Sequence, residues 1–370
     1  MFIAAGGWAI IVVALTSWPE NPGDATSPLG SLAAWHAHEM VFGFAAAGFA
    51  GYALTAMSSW SAPSCLTRSG VVMLIGAWVL ARLSAWGSLG QDPRLVVPAG
   101  AAFMAFVTAT LCVAALRSGS MRGGVQALFS ALLMGVQGAL LCGASMPQVP
   151  VVAFGLLLSV VGGRMVAAFT WNQMDRSTAQ ARRLVWARRS GLPSAGAIAL
   201  LLVLDLAGMG EGWLAIGLLA LAALSEAMRL LLWRSRQTLR DSLLGMLHLG
   251  YVWLPVGLAL VALSRLPARA LSGSDALHAL AAGAVACSIY AVAVRPLARR
   301  ARRLHAALVD VMGFGLLWLG AAFRVFGPTG SDWGEVAPVL WCAAWALFLV
   351  RHVATSFAPV PRPVFSGPRI

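Results

Sequence analysis

The chain has 370 residues, 59% of them hydrophobic and only 11% charged, with a mean hydropathy of +0.81. A soluble fold carries about twice that charged fraction, so a water-soluble globular class is excluded. A net charge of +13 would suggest nucleic acid in a soluble domain, but in so apolar a chain loop arginine is an orientation signal, and no nucleic-acid partner is expected.

Apolar runs of roughly 17–22 residues recur from end to end, the length that crosses a bilayer. Twelve can be placed, at 2–18, 37–57, 70–87, 95–116, 125–143, 149–170, 192–209, 212–233, 242–263, 276–294, 304–326 and 336–355. The first lacks a basic lead-in and reads as a span, not a cleaved signal. The expected fold is an all-α polytopic membrane protein, about twelve helices in one bundle, forming a single transmembrane domain over 1–370. Arginines cluster in alternate loops, such as Arg182–Arg189, Arg229–Arg240 and Arg295–Arg303, while the opposite loops are acidic. The positive-inside rule then puts both termini in the cytoplasm.

One stretch stands out. Trp35-His36-Ala37-His38-Glu39-Met40 gathers two of the six histidines, a carboxylate and a thioether at the outer mouth of the second span. Such groups are costly to bury unless something binds them. Successive helical residues turn by about 100°, so His36 and His38 point to different sides. His36, Glu39 and Met40 share a face at i, i+3 and i+4, and that donor set suits copper. The bland alternative is an interfacial cluster bonded to headgroups or loop carbonyls.

Further along, Gly162-Gly163-Arg164 places a cation beside two small residues. Arg164 suits either a haem propionate or, preferred on residue type, a structural ion pair. Glu226 lies deep enough for a proton relay or a metal ligand, whereas Asp205 and Asp310 fall near span ends. His248, followed by Gly250 and Tyr251, reads equally as a cofactor ligand or as a histidine bonded to a neighbouring helix. His278 opens the tenth span at the level of His36 and His38. Paired with one of them it would supply the axial imidazoles of a b-type haem, provided those spans are neighbours. His305 and His352, at cytoplasmic helix ends, read as solvated. The fifteen tryptophans, among them Trp18, Trp35, Trp86, Trp213 and Trp233, read as aromatic belts.

Trp35–Ala47, Gly162-Gly163-Arg164 with Phe169-Thr170, Leu247–Pro255 and Ala276–Leu280 together resemble the NnrS family, in the same order and across nearly the whole chain. The chain departs from that family's pattern at Ala167-Ala168, where a proline is usual, and at Val294–Arg303, where a histidine is usual. The resemblance implies a twelve-helix bacterial inner-membrane protein containing haem b and copper and associated with the response to nitric oxide, its electron donor unspecified. The expected cofactor-binding residues are His36, His38, His248, His278 and Arg164. The expected metal residues are His36, His38, His278, Glu39 and Met40. Rival readings are a multi-pass transporter for copper, haem or a small ion, and a metal-binding sensor or assembly factor without turnover.

Overall fold

The computed structural model describes residues 1–18, 27–61, 66–173, 178–267, 271–300, 306–327 and 335–356. Among these, eleven helices are long and apolar enough to cross a membrane, and the shorter apolar helix Phe2–Ser17 (α1) completes the twelve expected positions. The others are α2 (Leu32–Met57), α3 (Arg68–Trp86), α4 (Pro93–Ser118), α5 (Met121–Leu141), α6 (Gln148–Trp171), α7 (Thr178–Leu206), α8 (Trp213–Leu232), α9 (Ser242–Ser264), α10 (Gly273–Ala298), α11 (Leu308–Phe326) and α12 (Val336–Ser356). The protein is an all-α polytopic membrane protein with no strand among the described residues. His305 lies outside those residues.

Helix starts follow from capping chemistry. An Ncap oxygen accepts a backbone N–H that the first turn leaves unpaired. Ser31, Thr67, Asp92, Ser120, Asp241 and Ser272 do this for α2, α3, α4, α5, α9 and α10, and Pro93 follows its cap where a proline costs no hydrogen bond. The Ser31 cap moves the start of α2 to Leu32, well before the expected start at 37. Both His36 and His38 therefore sit inside one helix.

The chain contains two compact units. The first holds α1 to α5 and the part of α12 from Trp345 onward. Its core joins Trp35 to Val12 and Ala85, with Trp86 edge-on to Trp35 at 5.2 Å. The second holds α6 to α9, α10 as far as Val294, α11 and the start of α12. Here Trp233, fully buried, stands edge-on to both His248 and Tyr251. Trp35 and Trp233 are thus core residues, a correction to the aromatic-belt reading, while Trp18 and Trp213 are exposed. His352 is also buried, against Phe348, where solvation was expected. In each case an internal packing partner outweighs the preference of the residue type for an interface.

Three spans are interrupted by π-helical turns, at Glu39–Ala45 in α2, Leu158–Gly162 in α6 and Ala279–Ala286 in α10. Such turns are rare and concentrate at functional sites. They bond i to i+5, so some carbonyls lose their ordinary α-helical partner and side chains can claim them. Trp78 Nε1 donates to Gly43 O at 3.0 Å, Arg229 Nη1 donates to Ser159 O at 2.9 Å, and the Cys287 thiol points to Ala282 O at 3.8 Å.

The π turn of α10 packs closely on α9. A Cβ added at Gly283 would enter the Trp253 indole, and one at Gly257 would strike Leu280. Overpacking such a contact costs about 1–3 kcal/mol. Gly283→Ala is therefore expected to lower the Tm of the purified protein, read by thermal unfolding in detergent, whereas Gly135→Ala, with open space around it, leaves Tm unchanged.

Candidate ligand site at the α2 π turn

The site is organised by Glu39, whose carboxylate is completely buried in the first unit. A bare carboxylate there would be prohibitively costly, and three donors offset that cost. Arg82 Nη1, from α3, donates to Oε2 at 2.6 Å. Trp8 Nε1, from α1, donates to the same oxygen at 2.7 Å. His38 Nδ1 contacts Oε1 at 2.9 Å. Gly43 makes this convergence possible, because a Cβ at that position would collide with both the Trp8 indole nitrogen and the Arg82 guanidinium.

The carboxylate settles the histidine tautomer. Glu39 accepts only, so the proton sits on Nδ1 of His38, and Nε2 carries the lone pair. Gln137 Nε2, from α5, approaches that nitrogen at 3.4 Å, a long contact. Phe42 covers one side of the ring at 4.9 Å. His38 is buried, with its one basic nitrogen turned away from its carboxylate partner. Carboxylate-oriented histidines are the usual form of imidazole ligands.

His36, Glu39 and Met40 all turn toward α1, where they meet Thr16, Trp8 and the Val12 cluster respectively, so the expected shared face is covered by α1. Regular α geometry stops at His38, and across the junction Glu39 bonds its sequence neighbour. His36 Nδ1 lies 3.1 Å from Thr16 Oγ1, and Met40 packs against the Val12–Trp35–Ala85 cluster. Both oxygens of Glu39 are engaged within the protein, Oε2 by Trp8 and Arg82 and Oε1 by His38. That His36 and His38 point to different sides matches the expectation from helical twist.

The second unit holds the remaining sites. His278 Nδ1 donates to Ser274 O at 2.7 Å, which again leaves the lone pair on Nε2. The π turn of α10 follows His278 directly, as that of α2 follows His38. His248 is placed differently. Its Nε2 lies 2.9 Å from Thr170 Oγ1 and its Nδ1 2.8 Å from Ser235 Oγ. Both ring nitrogens are therefore within hydrogen-bond distance of hydroxyl groups.

Arg164 is exposed, although an interior position was expected. The cation against the paired glycines is Arg229, from α8. A Cβ at Gly163 or Gly191 would overlap its guanidinium. Arg229 Nη1 bonds both oxygens of buried Glu226, at 3.1 and 3.0 Å, while Tyr251 donates to Glu226 Oε2 at 2.7 Å and Ser159 to Oε1. Arg82 was missed from the sequence, and Arg229, expected among the loop arginines of the 229–240 cluster, is buried in α8 because Glu226 one turn before it supplies the partner. For Arg82 the available signal was a lone arginine one turn inside the end of an apolar run. Asp205 pairs with Arg265 at 3.5 Å, and Asp310 accepts the Ala307 N–H at the start of α11, in keeping with their places near span ends. Among the described residues no trio of His, Cys, Asp or Glu is arranged around a common point.

A family model described as NnrS protein matches residues 1–359. No curated protein and no solved structure matches the chain.

Removing Glu39 would strand the buried Arg82 charge, a loss worth about 3–5 kcal/mol. Glu39→Ala is expected to lower Tm severely, read by thermal unfolding of detergent-purified protein. Arg164→Ala, on an exposed side chain, is expected to leave Tm unchanged.

Proposed function

The chain belongs to the NnrS family, and from that premise we propose that it is a haem- and copper-binding protein of the bacterial inner membrane that protects against nitric oxide. The observation that carries this reading is His38, whose basic nitrogen is fixed by a carboxylate that Arg82 and Trp8 hold in turn. Haem iron takes a neutral imidazole as its axial ligand, and the buried His38 fits that requirement. When bound, haem supplies an iron centre able to capture nitric oxide.

The residues of the chain then have separate tasks. His38 offers Nε2. Glu39 holds the proton on Nδ1 and so keeps the ring in its ligating tautomer. Arg82 and Trp8 prevent Glu39 from turning away, and Phe42 shields the ring from water. His278, with its tautomer set by Ser274, is the corresponding donor of the second unit. His248 is a structural histidine in this scheme. The His36–Glu39–Met40 face does not fit copper, since Glu39 is committed elsewhere, and no step is assigned through that metal. Copper stays in the proposal on family membership.

One observation favours a transporter as the second reading. The Glu226–Arg229–Tyr251–Ser159 cluster buries an ion pair within membrane-spanning helices, where ionisable residues commonly mark ion pathways. Substrate accumulation in vesicles by protein without bound haem would select it.

Optical and metal analysis of the purified protein tests the primary reading. A Soret band and bound copper are expected. His38→Ala is expected to abolish the Soret band, Glu39→Gln to weaken haem binding by roughly 10–100-fold, and His248→Ala to retain haem. A wild-type protein free of both cofactors would overturn the reading.

A further inference from the structure

Arg82 has more donors than Glu39 can use. A guanidinium presents five N–H groups in a planar fork. The bond to Glu39 occupies only Nη1, and Trp78 contributes its ring at 6.0 Å. Nε and Nη2, the two nitrogens of a single edge, are buried and find no acceptor among the described residues. Arg82 is only 4% exposed. One buried unsatisfied donor costs about 1–3 kcal/mol, and a charged one costs more. Two on the same edge of one cation, inside a membrane-spanning helix, are retained only if something accepts them.

That edge has specific chemistry. The Nε–Nη2 pair matches the two oxygens of a planar oxyanion, forming two parallel charge-assisted bonds. The ammonium of lysine cannot reproduce this arrangement. Arg229 offers a contrast, since among its nitrogens only Nε is both fully buried and without an acceptor among the described residues, and Gly163 and Gly191 lie against its guanidinium. The open edge of Arg82 belongs to the side chain that clamps Glu39, one residue from His38. Gln137, whose Nε2 faces His38, likewise has a buried Oε1 without a partner.

We propose that Arg82 binds a carboxylate bidentately through Nε and Nη2, and that this carboxylate is a propionate of the haem ligated by His38. This rests on the haem reading above. It moves the propionate-binding role from the exposed Arg164 to a buried arginine that also orients the ligand histidine. Arg82 then stands between two carboxylates, Glu39 on Nη1 and the propionate on the opposite edge. A free planar oxyanion, such as formate or nitrite, presents the same pair of oxygens and is the other source of this chemistry.

The test uses the full-length protein in detergent, titrated with haem b and with its dimethyl ester, whose propionates carry no charge. The wild type is expected to bind the acid roughly tenfold or more tighter than the ester, and Arg82→Lys to bring that ratio close to one. Equal wild-type affinities for acid and ester would overturn the proposal, and this comparison needs no variant to fold. A ratio unchanged in Arg82→Lys would also overturn it. If neither porphyrin binds the wild type, the haem reading fails by itself, and formate and nitrite then decide the Arg82 site. A rise in Tm with either anion, lost in Arg82→Lys, supports an oxyanion site filled from solution. No rise with either anion overturns it.

Discussion

Burial of the Glu39 carboxylate is the constraint on which the first unit depends. A charge taken out of water inside a membrane-spanning bundle must be met by donors brought from elsewhere, because neither lipid nor apolar side chains supply any. The donors arrive from three helices: Trp8 on α1, Arg82 on α3, and His38 on α2 itself. Gly43 and the shape of the α2 π turn follow from that convergence, since a side chain at position 43 would occupy the space of the donors. The orientation of His38 is a by-product of the same bonds.

The second unit solves the same problem with different parts. Glu226 is met by Arg229, Tyr251 and Ser159, and the π turn of α6 frees the Ser159 carbonyl for the same arginine. In both units a π turn lies beside a buried glutamate–arginine pair. The wider turn leaves carbonyls to be claimed, and a side-chain donor claims one in each case. The price is a locally weaker helix. What is gained is a side-chain direction that regular α geometry does not provide. His38 and His278, each immediately before a π turn, stand where that change of direction begins.

Much of the architecture was legible in the chain itself. Apolar runs of bilayer length give the number and approximate limits of the spans, because only a helix satisfies its own backbone in lipid. Ser31, Thr67, Asp92, Ser120, Asp241 and Ser272 mark helix starts through local chemistry, readable without any tertiary contact. The Trp35–Met40 motif identified both the family and the site region, and helical twist correctly separated His36 from His38.

What the sequence determined by itself, then, was the set of spans, the family and the segment that carries His38 and the buried Glu39. Tertiary structure alone decided which residues meet there. Local periodicity put His36, Glu39 and Met40 on one face, and that face meets α1, but only the packed unit shows that the Glu39 oxygens are taken by Trp8, Arg82 and His38. It also decided that Arg82 and Arg229 are the buried cations while Arg164 faces outward. An isolated arginine reads alike on any face of an apolar run, and the partner that makes its burial tolerable comes from another helix or, for Arg229, from the turn before it. The Arg82–Glu39 pair joins two helices and is a property of packing that spacing does not reveal, whereas Glu226 and Arg229 stand at i and i+3, a spacing that allows the pair within one helix.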